Sequence, residues 1–262
     1  MASNPPLFSI VVPTYNERDR LATLVETICG VAASAHLSLE VIVVDDNSPD
    51  GTGALADELA TRLPVRVVHR SGKLGLGTAV IEGFRTAAGD LLGVMDADLS
   101  HPADLLPAMA ALLASTDSDM VIGSRYIPGG GTKDWSTGRE LMSKFACLLA
   151  APVTPVRDAT SGFFLVRRAA VEGVEISAGG FKICLELLVR GRIRSVVEVP
   201  YVFVGRTAGE SKMNRREALG YLVQLRDLLA VRWQKGALPR PRYHRVSPEE
   251  VRQVLARAST SN

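Results

Sequence analysis

The sequence predicts an α/β fold with a mostly parallel sheet flanked by helices, and two observations support it. Short β-branched apolar runs alternate with segments of helical apolar spacing through the first half of the chain. Polar residues follow several of these runs directly, at the carboxyl ends where open parallel sheets bind ligands. We therefore expect one functional site along that edge of the sheet.

The alternation defines the predicted elements in chain order. Strands are predicted at residues 8–12, 40–44, 65–69, 90–95, 120–123, 161–167 and 196–204. Helices are predicted at residues 18–35, 53–62, 77–88, 139–149 and 181–190. Three successive glycines at residues 129–131 predict a flexible loop.

The length of 262 residues is enough for one α/β domain with its own core. We expect this domain to cover residues 1–236. From residue 237 to residue 262 the chain becomes basic and rich in proline, so we interpret it as a tail with a short helix at residues 248–258.

Composition excludes several classes of protein. With 47% hydrophobic and 22% charged residues the chain is not disordered, and its net charge of +2 gives no reason to expect a nucleic-acid partner. Cys29, Cys147 and Cys184 are far apart in apolar surroundings, which favours buried thiols in a reducing compartment. The first residues lack a secretory signal, and no apolar run reaches the roughly 18 residues of a membrane span. These features predict a cytoplasmic protein without transmembrane helices.

Carboxylates follow two of the predicted strands. Asp96 and Asp98 end an apolar strand one residue apart, so both can face one hard cation such as Mg²⁺ or Mn²⁺. Asp45 and Asp46 follow a neighbouring strand and suit hydrogen bonds from a base or a ribose. Either pair is also common in an ordinary turn or helix cap, and this alternative stays open on spacing alone.

Seven stretches together carry a family resemblance. They are residues 11–17 (VVPTYNE), 43–52 (VVDDNSPDGT), 73–77 (KLGLG), 95–102 (MDADLSHP), 123–126 (GSRY), 158–164 (DATSGFF) and 209–213 (GESKM). In this order, over residues 8–215, they resemble the dolichol-phosphate mannosyltransferase type within glycosyltransferase family 2. The resemblance implies the GT-A fold and an inverting sugar transfer.

The resemblance also implies roles for matching residues. Those expected to bind the nucleotide sugar are Pro13, Tyr15, Glu17, Asp46, Lys73, Asp96, Ala97, Asp98, Arg206 and Lys212. Asp96, Asp98 and Ser100 are the expected ligands of Mg²⁺ or Mn²⁺, although relatives often carry Gln at the position of Ser100. A water then completes the set where the serine is too short.

A lipid phosphate needs fixed cations, and the second half of the chain supplies them. Arg125 and Arg139, with Ser143, are expected to bind the acceptor phosphate, since guanidinium groups match phosphate oxygens in pairs. Arg206 and Lys212 lie in a glycine-containing stretch that either closes over the donor or is a solvated basic loop. The expected catalytic set is Asp96, Asp98, Arg125, Arg206 and Lys212. Asp158 either orients the acceptor side or a sugar hydroxyl, or caps a turn.

The implied reaction moves mannose from GDP-mannose to a polyprenyl monophosphate and gives a β-linked product. A glucosyltransferase that uses UDP-glucose is an alternative of the same fold. An alternative of another class is a nucleotide-sugar-binding module without activity, which the retention of Asp96 and Asp98 disfavours.

The acceptor also requires access to a membrane. Residues 140–151 and 221–233 each present an apolar helical face that either packs into the core or lies in the membrane interface. We expect a peripheral protein on the cytoplasmic face of the membrane, bound directly or through a separate membrane-anchoring protein.

Overall fold

A computed structural model describes residues 7–176, 182–205, 215–234 and 238–260. Its strands are β1 (Phe8–Thr14), β2 (Leu39–Asp45), β3 (Val65–His69), β4 (Leu91–Val94), β5 (Met120–Ser124), β6 (Gly131–Lys133), β7 (Phe164–Arg167), β8 (Ser195–Pro200), β9 (Val202–Val204) and β10 (Arg242–Arg245). Its α-helices are α1 (Arg18–Ser34), α2 (Thr52–Ala60), α3 (Leu76–Thr86), α4 (Leu106–Ser115), α5 (Thr137–Ala150), α6 (Arg168–Val171), α7 (Ile183–Arg190), α8 (Arg215–Trp233) and α9 (Pro248–Thr260).

Eight strands form one sheet in the order β10-β8-β5-β7-β4-β1-β2-β3, and β6 and β9 form a separate parallel pair. All neighbours in the large sheet are parallel except β7, which runs antiparallel to both β4 and β5. Helices cover both faces, and the apolar side chains form two buried clusters, one on each side of the sheet. The predicted α/β architecture is therefore confirmed.

The sequence prediction was wrong where a single strand was expected at residues 196–204. Pro200 ends β8, and the N–H of Tyr201 turns to the carbonyl of Ser124 at 3.0 Å. The chain then enters β9, which pairs with β6. Gly131, expected in a flexible loop, is the first residue of β6, and its N–H donates to the carbonyl of Tyr201 at 3.1 Å.

The amphipathic pattern missed helix α4. Its residues are apolar around the whole circumference, and six of them are buried between the sheet and α9. A helix covered on both sides has no polar face to reveal its period. The same reasoning applies to buried strands, which show apolar runs rather than alternation.

The tail contributes to the main fold rather than standing apart from it. Strand β10 pairs in parallel with β8, with Tyr243 opposite Val196, and Val251 of α9 is buried against the first apolar cluster. A sequence of Arg, Tyr, His and Arg gives no strand signal, but charged residues are usual on the edge strand of a sheet. The division at residue 237 remains a prediction, whereas the helix expected at 248–258 is present.

Two further structural findings concern the cysteines and the length of the helices. Cys147 and Cys184 are buried and Cys29 is half-buried, and all three are free thiols. No helix in the described ranges has both the length and the apolar character needed to span a bilayer.

Two helical glycines predict opposite effects of adding one methyl group. A Cβ at Gly83 in α3 would overlap the side chain of Val11 in β1, whereas a Cβ at exposed Gly30 in α1 would meet nothing within 4 Å. We expect Gly83→Ala to lower the free energy of unfolding by about 2 kcal/mol through overpacking. Gly30→Ala should raise it by about 0.5 kcal/mol because alanine restricts the unfolded chain. Urea denaturation of both variants measures the difference, and equal effects would contradict this packing of α3 on β1.

Candidate active site

The loops after β1, β2 and β4 lie side by side because β1 pairs with both other strands. The N–H of Asp46 continues the ladder to the carbonyl of Thr14 at 3.0 Å, and the N–H of Met95 does the same to Val11 at 3.1 Å. The sequence positions after these strands therefore converge on one edge, as their pattern predicts.

Backbone-to-side-chain hydrogen bonds fix the first two loops to each other. The N–H of Asn16 donates to Ser48 Oγ at 3.0 Å, that of Glu17 to Thr52 Oγ1 at 3.0 Å, and that of Arg18 to Asp50 Oδ2 at 3.2 Å. Asn16 and Asn47 have φ values of 58° and 57°. Asparagine tolerates this left-handed conformation, so the residue type suits the turn.

Asp46 has a structural role that the sequence did not reveal. Arg70 Nη1 donates to its Oδ1 at 2.5 Å, and the N–H groups of Leu74 and Gly75 donate to its Oδ2 at 3.0 and 3.1 Å. Both side chains of the ion pair are buried. Asp46 thus shapes the loop that carries Lys73, and its expected direct contact with the nucleotide remains a prediction.

Tyr15 and Lys73 meet above this edge. The Lys73 ammonium lies 4.1 Å from the centroid of the Tyr15 ring, and Tyr15 is partly open to solvent. Pro13 is half-buried within β1, and Glu17 pairs with Arg20 at 3.2 Å. A partly exposed aromatic ring with a cation over one of its faces suits the base and phosphates of a nucleotide.

Asp96 and Asp98 flank buried Ala97 just beyond β4. The Asp96 side chain is 32% exposed. Asp98 is buried, and its Oδ1 accepts hydrogen bonds from the N–H and hydroxyl of Ser100. Leu99, which lies between Asp98 and Ser100, has φ 64°. This conformation is unfavourable for a leucine, and it tightens the turn.

These residues fit a hard divalent cation. Both carboxylates come from one short turn, and a Cβ added at Gly162 would lie only 3.1 Å from Asp96 Oδ2, so the backbone leaves room for that carboxylate. Within the described ranges no three His, Cys, Asp or Glu side chains converge on one point. A cation held by two carboxylates retains positions for substrate oxygens and water, as Mg²⁺ does in nucleotide sites. The Ser100 hydroxyl donates to Asp98, and its expected role as a ligand remains a prediction.

His101 supports Asp96 from the core. The N–H of Asp96 donates to His101 Nδ1 at 3.1 Å, which leaves the ring proton on Nε2, 3.7 Å from Asp96 Oδ2. The ring is buried and stacks on Phe163 at 5.1 Å. Burial lowers the pKa of His101 by more than the negative charges of Asp96 and Asp98 raise it, so the imidazole is neutral at pH 7.

Arg125 follows β5 and is held by a buried carboxylate. Its Nε and Nη2 donate to the two oxygens of Asp158 at 2.7 and 2.6 Å, and its own N–H donates to Asp158 Oδ2 at 2.9 Å. Burial disfavours the charged guanidinium, but Asp158 more than offsets it and raises the pKa of Arg125. Asp158 therefore orients Arg125 and does more than cap a turn.

Arg139 is brought close to Arg125 by an aromatic ring. The guanidinium carbons of Arg139 and Arg125 lie 4.0 and 5.4 Å from the centroid of Trp135. Ser143 lies one helical turn after Arg139 on α5 and is half-buried. The three residues expected to bind an acceptor phosphate thus come from neighbouring elements.

A cavity of about 550 Å³ opens beside Arg125. Lys144 and Arg157 add two cations to its wall, Glu140 adds one anion, and Leu148 and Tyr243 lie on its lining. Leu148 is also 67% exposed on the outer face of α5, so the cavity reaches that apolar face.

Two expected site residues, Arg206 and Lys212, lie outside the described residues. Sequence reasoning missed several supporting residues, namely Arg70, His101 and Trp135. They act through other side chains rather than by position after a strand, and no sequence spacing identifies such contacts. His101 alone carried a signal, since it stands in the stretch at residues 95–102.

An α/β sheet with acidic and basic side chains gathered at its strand ends suits a group-transfer enzyme, and a comparison with protein families defines the class. The chain matches the family model for glycosyl transferase family 2 over residues 9–174. The protein belongs to this family and is a glycosyltransferase, which confirms both predictions.

Comparison with curated proteins shows which members of the family the chain resembles. The chain is 42% identical over 230 residues to the dolichol-phosphate mannosyltransferase of Pyrococcus furiosus, a match that covers 86% of this chain and 64% of that protein. It is 37% identical to the enzyme of that name from Saccharomyces cerevisiae, over 84% of this chain and 86% of the yeast protein. It is 40% identical to the polyprenol monophosphomannose synthase of Mycolicibacterium smegmatis, over 80% and 83% respectively.

Solved structures share the fold. A mannosyltransferase from Pyrobaculum calidifontis in complex with GDP-Man and Mn²⁺ has a TM-score of 0.61 and 21% identity, covering 98% of this chain and 70% of that one. The glucosyl-3-phosphoglycerate synthase of Mycobacterium tuberculosis in complex with Mn²⁺ and UDP has a TM-score of 0.62 and 20% identity, covering 87% and 80%. This likeness confirms the GT-A fold.

The buried ion pair of Arg70 and Asp46 predicts a large loss of stability when one partner is removed. Arg70→Gln leaves the buried Asp46 carboxylate without its guanidinium, so we expect the free energy of unfolding to fall by about 3 kcal/mol. Arg62→Gln is the matched control, because Arg62 and Glu26 form a pair in which both side chains are 49% exposed. That control should cost about 0.5 kcal/mol or less. Similar losses in urea denaturation would show that Arg70 does not hold the loop that carries Lys73.

Proposed function

We propose that the protein transfers mannose from GDP-mannose to a polyprenyl monophosphate with inversion, giving a β-linked polyprenyl-phosphate mannose. The observation that carries the proposal is the pairing of a carboxylate turn at Asp96 and Asp98 with a cationic cavity at Arg125 across the same sheet edge. The names of the curated relatives support mannose and a polyprenyl phosphate.

The donor is proposed to bind over β1 and β2. The face of Tyr15 receives the base, Glu17 and Asp46 accept hydrogen bonds from base and ribose, and Lys73 lies beside the phosphates. Asp96 and Asp98, with Ser100, hold Mg²⁺ or Mn²⁺, which when bound neutralises charge on the departing diphosphate. Arg206 and Lys212 are proposed to add positive charge on the diphosphate side.

The acceptor phosphate is proposed to bind Arg125, Arg139 and Ser143. Asp158 occupies Nε and Nη2 of Arg125, and the described residues offer no partner to its Nη1. The N–H groups of Nη1 are the ones available for an anionic oxygen.

A phosphate monoester is already anionic at pH 7, so no general base is required. The residues instead hold two anions together against their repulsion. A phosphate oxygen of the acceptor forms a bond to the anomeric carbon while the bond from that carbon to the diphosphate oxygen breaks. The bonding electron pair leaves with GDP, and one in-line displacement inverts the anomeric centre.

Helices α5 and α8 are proposed to face the membrane. They lie side by side, since the Tyr221 hydroxyl donates to the carbonyl of Ala146 at 2.6 Å. Their outer sides together form what we call the outer apolar face, which consists of Leu141, Met142, Phe145, Leu148, Leu219, Leu222 and Val223, each at least 42% exposed. Lys144, Arg157 and Arg226 are exposed nearby. An apolar face beside cations suits a peripheral position on an anionic cytoplasmic leaflet.

The first experiment measures transfer of labelled sugar to a short polyprenyl phosphate, from GDP-mannose and in parallel from UDP-glucose, with and without Mn²⁺ or Mg²⁺. We expect metal-dependent transfer from GDP-mannose, reduced at least about 100-fold in Asp96→Ala and Asp98→Ala. Asp104→Ala, which removes an exposed carboxylate from the adjoining turn, should retain activity.

Transfer from UDP-glucose alone would overturn the proposed donor. Tight binding of GDP-mannose without transfer to any polyprenyl phosphate would instead favour a binding module without activity.

The outer apolar face predicts binding to anionic vesicles. Leu141→Gln combined with Phe145→Gln should weaken binding at least about tenfold, because both side chains leave water when the helix enters the interface. Leu74→Gln is the control, since Leu74 is 56% exposed but lies in the loop between β3 and α3, outside the outer apolar face. Sedimentation with vesicles, in the absence of GDP-mannose, measures binding. In a separate assay with a short soluble acceptor, the double variant should show normal transferase activity. Unchanged sedimentation of the double variant would favour recruitment by a membrane protein.

A further inference from the structure

A buried chain of hydrogen bonds connects the C-terminal strand β10 to Arg125. The Tyr243 hydroxyl donates to Glu198 Oε2 at 2.6 Å. The N–H of Asp158 donates to Glu198 Oε1 at 2.8 Å, and the N–H of Arg157 donates to Oε2 at 2.9 Å. Asp158 in turn holds the guanidinium of Arg125.

Two of these groups are buried carboxylates whose solvation must come from the protein. Glu198 and Asp158 both have 0% relative exposure. Asp158 receives a guanidinium, whereas the donors to Glu198 in the described part of the chain are the two backbone N–H groups and the phenol of Tyr243. A buried carboxylate that loses a donor must turn toward another one or take up a proton. Either response would weaken or redirect the hydrogen bonds from the N–H groups of residues 157 and 158, and so loosen the backbone that carries the Asp158 carboxylate.

Tyr243 is suited to act as a permanent donor. Burial raises the pKa of its phenol, and the hydrogen bond and charge of Glu198 raise it further, so the hydroxyl retains its proton at any physiological pH. The ring also lies on the lining of the cavity beside Arg125, so the tail contributes to the wall of the proposed acceptor site.

We infer that Tyr243 is a positioning residue for Arg125 and acts through Glu198 and Asp158. Strand β10 thus contributes to the geometry of the proposed acceptor site. The kinetic part of this inference rests on the proposed function, whereas its structural part does not.

The structural part is tested by nuclear magnetic resonance of protein labelled with ¹⁵N-arginine, without any substrate. The Nε–H signal of Arg125 is assigned by its loss in Arg125→Lys. In Tyr243→Phe we expect this signal to shift and its hydrogen exchange to become at least about tenfold faster. Glu198→Gln, which weakens the same acceptor without touching β10, should change it in the same direction.

The matched control is Arg242→Gln in the same strand. Arg242 is 68% exposed and its guanidinium contacts Asp117 at 3.2 Å, so this variant removes a surface contact of β10 and leaves the Tyr243 phenol in place. It should leave the Arg125 signal unchanged. An unaltered signal in Tyr243→Phe, or equal changes in Tyr243→Phe and Arg242→Gln, would overturn the inference.

The kinetic part is tested with the full chain and a short polyprenyl phosphate. Tyr243→Phe should raise KM for the acceptor about tenfold and leave the affinity for GDP and Mn²⁺ unchanged. A merely structural role would lower the melting temperature and leave the acceptor KM as it is, which would overturn the kinetic part. If the wild-type protein transfers no sugar, the proposed function fails, and the arginine signal still decides the positioning role.

Discussion

The shape of the candidate site depends on buried carboxylates, because each one must be supplied with donors from several parts of the chain. Asp46 draws Arg70 and the backbone of residues 74 and 75 to the end of β2. Glu198 draws the backbone of residues 157 and 158 and the phenol of Tyr243 to β8. The loops at the strand ends are therefore arranged around buried negative charges. The shape of the exposed sheet edge depends on these interior hydrogen bonds.

The fold was largely predictable because its strands have strong local signals. The runs at β1 and β2 are rich in β-branched residues buried on both sides, and the segment between them has helical spacing. Prediction was wrong or silent where tertiary contacts replace local pattern. Helix α4 lacks a polar face, β10 is a charged edge strand, and the break at Tyr201 depends on a hydrogen bond to Ser124.

The candidate site divides in the same way. Tyr15, Lys73, Asp96 and Asp98 were identified because each directly follows a strand or lies in a stretch that carries the family resemblance. Arg70, which pairs with Asp46, and His101, which lies behind Asp96, are both buried. Their contribution is a hydrogen bond to another residue of the site, and the identity of that partner is decided only by the folded chain.

The position of β7 between β4 and β5 sets the width of the sheet edge that carries the candidate site. Phe164 of β7 lies between Val94 of β4 and Ile122 of β5, so β4 and β5 are two strand spacings apart, about 10 Å. Direct pairing of these strands would halve the distance between the strand that precedes the carboxylate turn and the strand that precedes Arg125. An antiparallel strand also presents its beginning, not its end, at this edge, and brings Gly162, which has no side chain, against Asp96. The inserted strand thus acts as a spacer that, in the proposed reaction, separates the residues assigned to the leaving diphosphate from Arg125, which is assigned to the entering phosphate.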